Sequence, residues 1–568
     1  MHRSLLIACL YLFSTALVTS ISFAAIPPVV STEWLIQNKD NPNLILLDAT
    51  NTFDYLEGHI PGAISASFKE EEAISQDVIL SYGGGVDLFT DTDSPIPFQD
   101  LPGEKMQEIF RSWGINPDSL VVVYDKGADM YATRLMYSLR FWGVENSALL
   151  DGGSTRWTAL GNALSQDIPA IQSGTITVGS PDSSMLADTN EVLTAISEPG
   201  SVRIINALGH SFHYGEKIFY SRQGHIPYAT SIPRDIYFNT DKTLKTPEEI
   251  KAILTFHGIT PDKNLYVQCG GGIAASMPFF AAHFIAQFPN VKLYRGSLIA
   301  WEYDQRTLPL WQYDTPYRVR DSAWINLWAG LRNRTLGTVH TSLLDIRPAE
   351  EYAKGHPPFA ISIPYDEWLQ HVDNPEQMAQ RLGNAGADQS HEAVVFGKGI
   401  GKEAALVAWM LEYICQEKTS IASDDMANWS SKGGKATIDA VEVRPRQMKF
   451  DLALPPTQYK VQTVNTVKMN GNGPKTHAFP QIFVASGETQ TVRQTLASDN
   501  KTLHLPASQV LMQAGGLKSA ADLYKHFMVD NELPRLAEII CYADDPADAA
   551  LNWFALTMIG YPNVKVLL

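Results

Sequence analysis

Residues 265–280 read LYVQCGGGIAASMPFF. An apolar strand runs into a glycine-rich turn at Cys269-Gly270-Gly271-Gly272, and small and aromatic residues then open a helix near Ser276. Strand, loop and helix in that order build a parallel sheet, in which ligands bind beyond the carboxyl ends of the strands. The loop at Cys269 falls at such an end. Three other stretches have the same form: LVVVYDKGADMYATRL (120–135), AVVFGKGIGKEAALVA (393–408) and EIICYADDPADAALNW (538–553). Asp125, Gly397 and Ala543 stand there where Cys269 stands in the second.

Two further elements recur around these loops, as repeated architectures require. Upstream lies a strand followed by a Gly-His-Ile-Pro element: LLDATNTFDYLEGHIPGA (46–63), IINALGHSFHYGE with GHIPYA (204–216 and 224–229), and LLDIRPAEEYAKGHPPFA (343–360). Downstream lies a strand, a small-residue turn and a tryptophan: LLDGGSTRW, LYRGSLIAW and IASDDMANW. Trp157, Trp301 and Trp429 each fall 32 positions after Asp125, Cys269 and Gly397. The fourth copy has only LHLPAS (503–508) for the upstream element and lacks the tryptophan. The expected organisation is a leader at 1–25 and units at 26–166, 186–312, 325–437 and 458–568, divided by polar, Pro/Gly-rich stretches. Each unit is expected to be α/β, a parallel sheet with helices on both faces.

The 568 residues suit about four domains, and 45% hydrophobic with 18% charged residues is ordinary globular composition. With 44 basic and 61 acidic residues the net charge is −17, which repels polyanions and argues against a nucleic-acid partner. The start, MHRSLLIACLYLFSTALVTSISFAA, has His2 and Arg3, an apolar run from Leu5, and small residues at Ser22 and Ala24, the pattern of a secretory signal. Export to a periplasm is the expectation, with no membrane span once the signal is removed. An uncleaved anchor is the alternative, since the run approaches the ~20 residues that cross a bilayer. Cys9 would leave with the signal, and Cys269, Cys415 and Cys541 are too few and too widely spaced to form a disulfide framework. Cys415 and Cys541 lie in apolar runs and read as small core residues.

Together, the GHIPGA element, the cysteine at a loop start and the closing LLDGG…W element resemble the rhodanese family. The resemblance implies repeated rhodanese-like domains and sulfur transfer through a cysteine persulfide, with no cofactor and no metal. Tandem thiosulfate and 3-mercaptopyruvate sulfurtransferases pair a silent first domain with an active second one, as Asp125 and Cys269 do here. Partners on this reading are a small sulfur donor and a thiol or cyanide acceptor, with a protein partner for the last two units. The alternative is an exported sulfur carrier or partner-binding scaffold with little turnover. Phosphatases sharing the fold carry a C-x5-R loop; here the sixth residue after Cys269 is Ala275, so the bidentate phosphate clamp is missing.

Cys269 is the expected catalytic residue because a thiolate is the nucleophile that accepts sulfur. Gly270, Gly271, Gly272, Ile273, Ala274 and Ala275 would present backbone N–H groups around the sulfur, with a helix N-terminus behind them. Against the mercaptopyruvate enzymes, Gly271 replaces a serine and Phe98 of SPIPF replaces a histidine; Leu208 stands where the family has an arginine, and Arg295 where it has an aspartate. Arg222, three residues before His225, and Arg295 are the expected grips for an acidic substrate group. His210 and His213 are expected to be solvated.

Overall fold

The structure is a computed structural model that describes residues 26–66, 93–337, 339–439, 480–489 and 501–568, together with Asp91, Val441 and the strand Lys460–Val461. The leader expectation, with Cys9, Ser22 and Ala24, falls outside the described residues.

In the first unit, strands β1 (Val29–Val30), β2 (Leu44–Asp48), β3 (Ile64–Ser65), β4 (Leu120–Tyr124) and β5 (Ser147–Leu150) form one parallel sheet in the order β1-β5-β4-β2-β3. The run LVVVY is apolar throughout because both faces are covered. Val121 and Val123 pack with Met106, Phe110 and Leu135 on one face, while Val122 and Tyr124 pack with Leu35, Ile60 and Trp157 on the other. The same strand order recurs in sheets spanning Leu186–Tyr294, Val319–Ala422 and Lys460–Leu567. The third sheet therefore starts before residue 325: Val319–Arg320 is its edge strand and pairs with Ile421 and Ala422.

The repeated tryptophans have a shared physical task. The indole N–H of Trp157 donates to the Ala163 carbonyl at 2.9 Å, that of Trp301 to Pro309 at 2.9 Å and that of Trp429 to Lys435 at 3.2 Å. Each buried ring thus pins the chain as it leaves its unit. The departing chain then bridges the histidine of the Gly-His-Ile-Pro element, as His59 with Ser165, His225 with Trp311 and His356 with Thr437.

The units associate in pairs through the helices that follow the four loops: α1 (Tyr131–Phe141), α2 (Ser276–Phe280, continued by a π-turn at Ala281–Ile285), α3 (Lys402–Tyr413) and α4 (Pro546–Met558). Between α1 and α2, Tyr137 meets Phe279 edge to face at 5.1 Å and the Thr133 and Ser276 hydroxyls bond at 2.8 Å. One core runs through units one and two, and a second, containing Trp409 and Trp553, runs through units three and four.

The two pairs meet at a buried polar hub. Asp314 receives the Nε2–H of His213, the Tyr214 hydroxyl at 3.2 Å and Arg535 Nη2 of unit four at 3.2 Å. His213 is fully buried, which corrects the expectation of a solvated side chain, and His210 is partly buried with Nδ1 at 2.7 Å from the Ser231 hydroxyl. His213, His225 and Asp314 have the proximity of a metal-ligand set. Asn206, however, accepts the Leu208 N–H with its Oδ1 and so offers Nδ2 to His213 Nδ1 at 3.0 Å, which makes His213 Nε2 the protonated nitrogen. A protonated nitrogen donates to Asp314 and has no lone pair for a metal.

Burial, reinforced by neighbouring His213, pushes His225 down to about 3. The unfolded chain protonates this histidine below about pH 6.5, whereas the folded chain does not, so its contribution to stability is present above pH 6.5 and lost as pH falls toward 3. The urea midpoint should therefore drop on acidification, with His225 supplying up to about 1.4 kcal/mol per pH unit. His225→Gln should flatten the slope between pH 6.5 and 4; an unchanged slope would remove His225 from the account.

Candidate active site

Cys269 ends the strand Asn264–Gln268 and is 2% exposed. Its N–H donates to the Ser297 hydroxyl at 3.0 Å, and that hydroxyl donates to the Tyr294 carbonyl at 2.8 Å. The Cys269 and Gly270 carbonyls accept from Leu298 and Ile299 at 3.1 and 3.0 Å. The loop therefore hangs on the turn that opens the helix Ser297–Tyr303. Ser297 is a site residue that sequence reading passed over, although its place in LYRGSLIAW beside the loop is the signal.

Within the loop the Gly272 N–H donates to Cys269 Sγ at 3.1 Å. Gly272 has φ +86°, and a Cβ there would lie 2.3 Å from the Arg295 carbonyl oxygen, so only glycine fits. Ser276 begins α2 beyond Ile273, Ala274 and Ala275, all three of which are buried. Of the expected cradle of Gly270 to Ala275, the Gly272 N–H is the group directed at the sulfur.

Three rings lie over that turn. A Cβ on Gly270 would fall 2.2 Å from the Phe219 ring, and one on Gly271 would fall 2.5 Å from the Phe98 ring and 3.1 Å from the Tyr220 hydroxyl. Phe98 comes from unit one. Phe219 and Tyr220 come from an insertion that units one and three lack. In units one and three a tyrosine four residues upstream stacks on the repeat histidine, as Tyr55 on His59 at 3.9 Å and Tyr352 on His356 at 3.8 Å. In unit two His213 takes the tyrosine's place, stacking on His225 at 3.5 Å from twelve residues upstream, so eight residues are inserted. Glu302 Oε2 ties down their end, accepting from the Ser221 N–H at 2.9 Å, its hydroxyl at 2.5 Å and the Arg222 N–H at 3.0 Å.

Of the two expected substrate grips, Arg295 is turned to other work. It donates through Nε to Gln99 at 3.0 Å and through Nη1 to Asp100 at 2.8 Å, and its side chain is 11% exposed. Its carbonyl, not its cation, borders Gly272. Arg222 donates through Nη1 to the Leu308 carbonyl at 2.8 Å, while its Nη2 is buried without a hydrogen bond. Asp100 is held from the other side by Arg134 at 2.7 Å, Ser138 at 3.0 Å and the Trp142 indole at 3.2 Å. Burial alone would raise its carboxyl pKa, but Arg134 and Arg295 outweigh burial and keep it below the usual carboxylate range.

The other loops hold no thiol at this position. Asp125 folds its carboxylate into its own turn, accepting the Gly127 N–H at 2.8 Å and the Ala132 N–H at 3.0 Å. Cys541 is fully buried in its strand, and burial pushes its thiol pKa far up; Cys415 is only partly buried.

Segments 31–160, 192–304 and 330–432 match the rhodanese-like domain family, and the chain belongs to that family. A putative thiosulfate sulfurtransferase of Synechococcus elongatus is 29% identical over 50% of this chain and 84% of its own. The 3-mercaptopyruvate sulfurtransferase of Escherichia coli is 29% identical over 48% of this chain and 94% of its own. The crystal structure of SseA, an Escherichia coli 3-mercaptopyruvate sulfotransferase, covers 48% of this chain and 99% of its own at 28% identity, with a TM-score of 0.41.

Asp100→Ala leaves two buried guanidinium groups without their shared partner. Such a loss should cost about 3–5 kcal/mol, read as a lower unfolding midpoint of the first pair. A change below 1 kcal/mol would show that Asp100 behaves as a surface ion-pair residue.

Proposed function

We propose that Cys269 takes a sulfane sulfur from a small donor such as thiosulfate or a mercapto acid, holds it as a persulfide, and passes it to a thiol or cyanide. The sulfurtransferase class rests on membership of the rhodanese family and on relatives named thiosulfate and 3-mercaptopyruvate sulfurtransferases. The observation that carries the residue assignment is the Gly272 N–H directed at Cys269 Sγ, in the one loop of the four with a cysteine at its start. Backbone donors that stabilise a thiolate suit the terminal sulfur of a persulfide equally well. Gly270 to Ala275 form the cradle, and Arg222 is the cation assigned to an acidic donor group, since its Nη2, though buried, makes no hydrogen bond.

Units three and four are assigned to recognition of a protein partner, because neither Gly397 nor Ala543 can hold sulfur. A sulfur-carrier role is the second reading, supported by 26% identity over 48% of this chain to a sulfur carrier protein of Thermus thermophilus. Turnover distinguishes the two: a carrier loads one sulfur, and an enzyme does so repeatedly. Cys269→Ser should abolish the mass gain of one sulfur after exposure to donors and should abolish cyanide-dependent turnover, with the unfolding midpoint retained. Turnover near wild type would place the chemistry in another loop.

The basic start, apolar run and Ser22-x-Ala24 site support export to a periplasm with removal of the leader. Among the described residues no helix is long and apolar enough to cross a membrane. N-terminal sequencing of protein from its native host should start near Ala25 or Ile26. An intact Met1 in the membrane fraction would show instead that the leader is an anchor.

A further inference from the structure

Gly270, Gly271 and Gly272 leave the Cys269 turn bare of its own side chains, so whatever meets a donor there comes from outside the loop. The groups against the first two glycines are Phe219, Phe98 and the Tyr220 hydroxyl, and against the third the Arg295 backbone. The rings support one another. Phe219 meets Tyr220 edge to face at 4.7 Å and Phe212 at 5.2 Å. The tip of the insertion is apolar on its outside as well: Ile218 is 52% and Phe219 40% exposed. Exposed aromatic surface continuous with a buried nucleophile is a binding surface for apolar groups. The nearby cation of Arg295 is neutralised by Asp100.

We propose that Phe98, Phe219 and Tyr220 are specificity residues that select a monoanionic sulfane donor carrying a flat apolar group over the small dianion thiosulfate. This deepens the sulfur-transfer reading and rests on it. A dianion must shed its water against the Phe98 and Phe219 rings, which return no hydrogen bonds, with the Tyr220 hydroxyl as the one polar group among those against the first two glycines, whereas an aryl group gains stacking and burial. The sulfane sulfur needs only a backbone donor of the turn, the Gly272 N–H. With an aryl thiosulfonate, Ar–SO2–S⁻, the Cys269 thiolate attacks the terminal sulfur and a Cys269 S–S bond forms. The bond from that sulfur to the sulfonyl sulfur breaks, and its electron pair leaves with arylsulfinate. One anion enters with the donor and one leaves as sulfinate, the persulfide keeps the charge of the thiolate, and no external oxidant or reductant is used.

The test uses the full chain with benzenethiosulfonate, methanethiosulfonate and thiosulfate, each rate divided by the rate of that donor with free cysteine to remove intrinsic reactivity. Persulfide at Cys269 is followed by mass, and turnover by kcat/KM. Wild type should favour the benzene donor over the methane donor by about tenfold or more, with thiosulfate poorest. Phe219→Ala and Phe98→Ala should each reduce the aryl preference, mainly through KM, while Phe219→Leu, which keeps a branched apolar side chain but no ring, should lose part of it. Equal normalised rates for the three donors, or a preference unchanged in every variant, would overturn the selection while leaving sulfur transfer at Cys269 intact. Absence of persulfide with all three donors would overturn both.

Discussion

A single buried carboxylate, Asp100, joins the two units that make the site. It lies between Arg134 of α1 and Arg295 of unit two, with Ser138 and Trp142 completing its coordination. Phe98, two residues earlier, lies over Gly271 and has its carbonyl bonded by Arg134 at 3.2 Å. Thus the guanidinium that neutralises Asp100 on one side also places an aromatic ring on the sulfur-bearing turn. Neither charge is tolerable alone in a dry interior, so the segment 98–100 has one stable position. The site therefore belongs to the pair of units.

The same scaffold occurs four times, and unit two departs from it in two linked ways. Its stacking tyrosine becomes His213, and eight residues enter between that position and His225. His213 faces Asp314 and Arg535, joining the two pairs, while the inserted residues carry Phe219 and Tyr220 over the cysteine. One local change therefore serves both the docking of unit four and the roof of the site. Glu302, next to the repeated Trp301, gathers three hydrogen bonds at the end of the insertion and holds these consequences in register.

Much of this was legible in the sequence because it depends on local patterns. A continuous apolar run such as LVVVY signals a strand buried on both faces, and the constant spacing from loop to tryptophan records a fixed path from strand end to chain exit. Cys269 and its glycines were legible for the same reason, since a bare turn at a strand end has a distinct composition. The role of Arg295 was not. Whether Arg295 meets a substrate or a protein carboxylate depends on Asp100, 195 residues away, and no local pattern encodes that pairing. His213 misled in the same way: a polar residue in a polar stretch reads as solvated until Asp314 and unit four bury it. The early start of the third sheet was missed because Val319–Arg320 is only two residues long.

Units one and two also show how a repeated turn is closed or kept open. In unit one the carboxylate of Asp125 satisfies the Gly127 and Ala132 N–H groups itself. Burial, with Asp129 adding to it, pushes its carboxyl up to about 6, so the turn holds an uneasy charge that no ligand can replace without displacing a covalently attached side chain. Cysteine at the equivalent place in unit two takes the Gly272 N–H on sulfur. Where the aspartate fills the donors of its turn and ends there, the proposed transfer would extend the sulfur of Cys269 by one atom, and the absence of side chains on Gly270 and Gly271 is what lets the Phe219 and Phe98 rings pack directly on the turn.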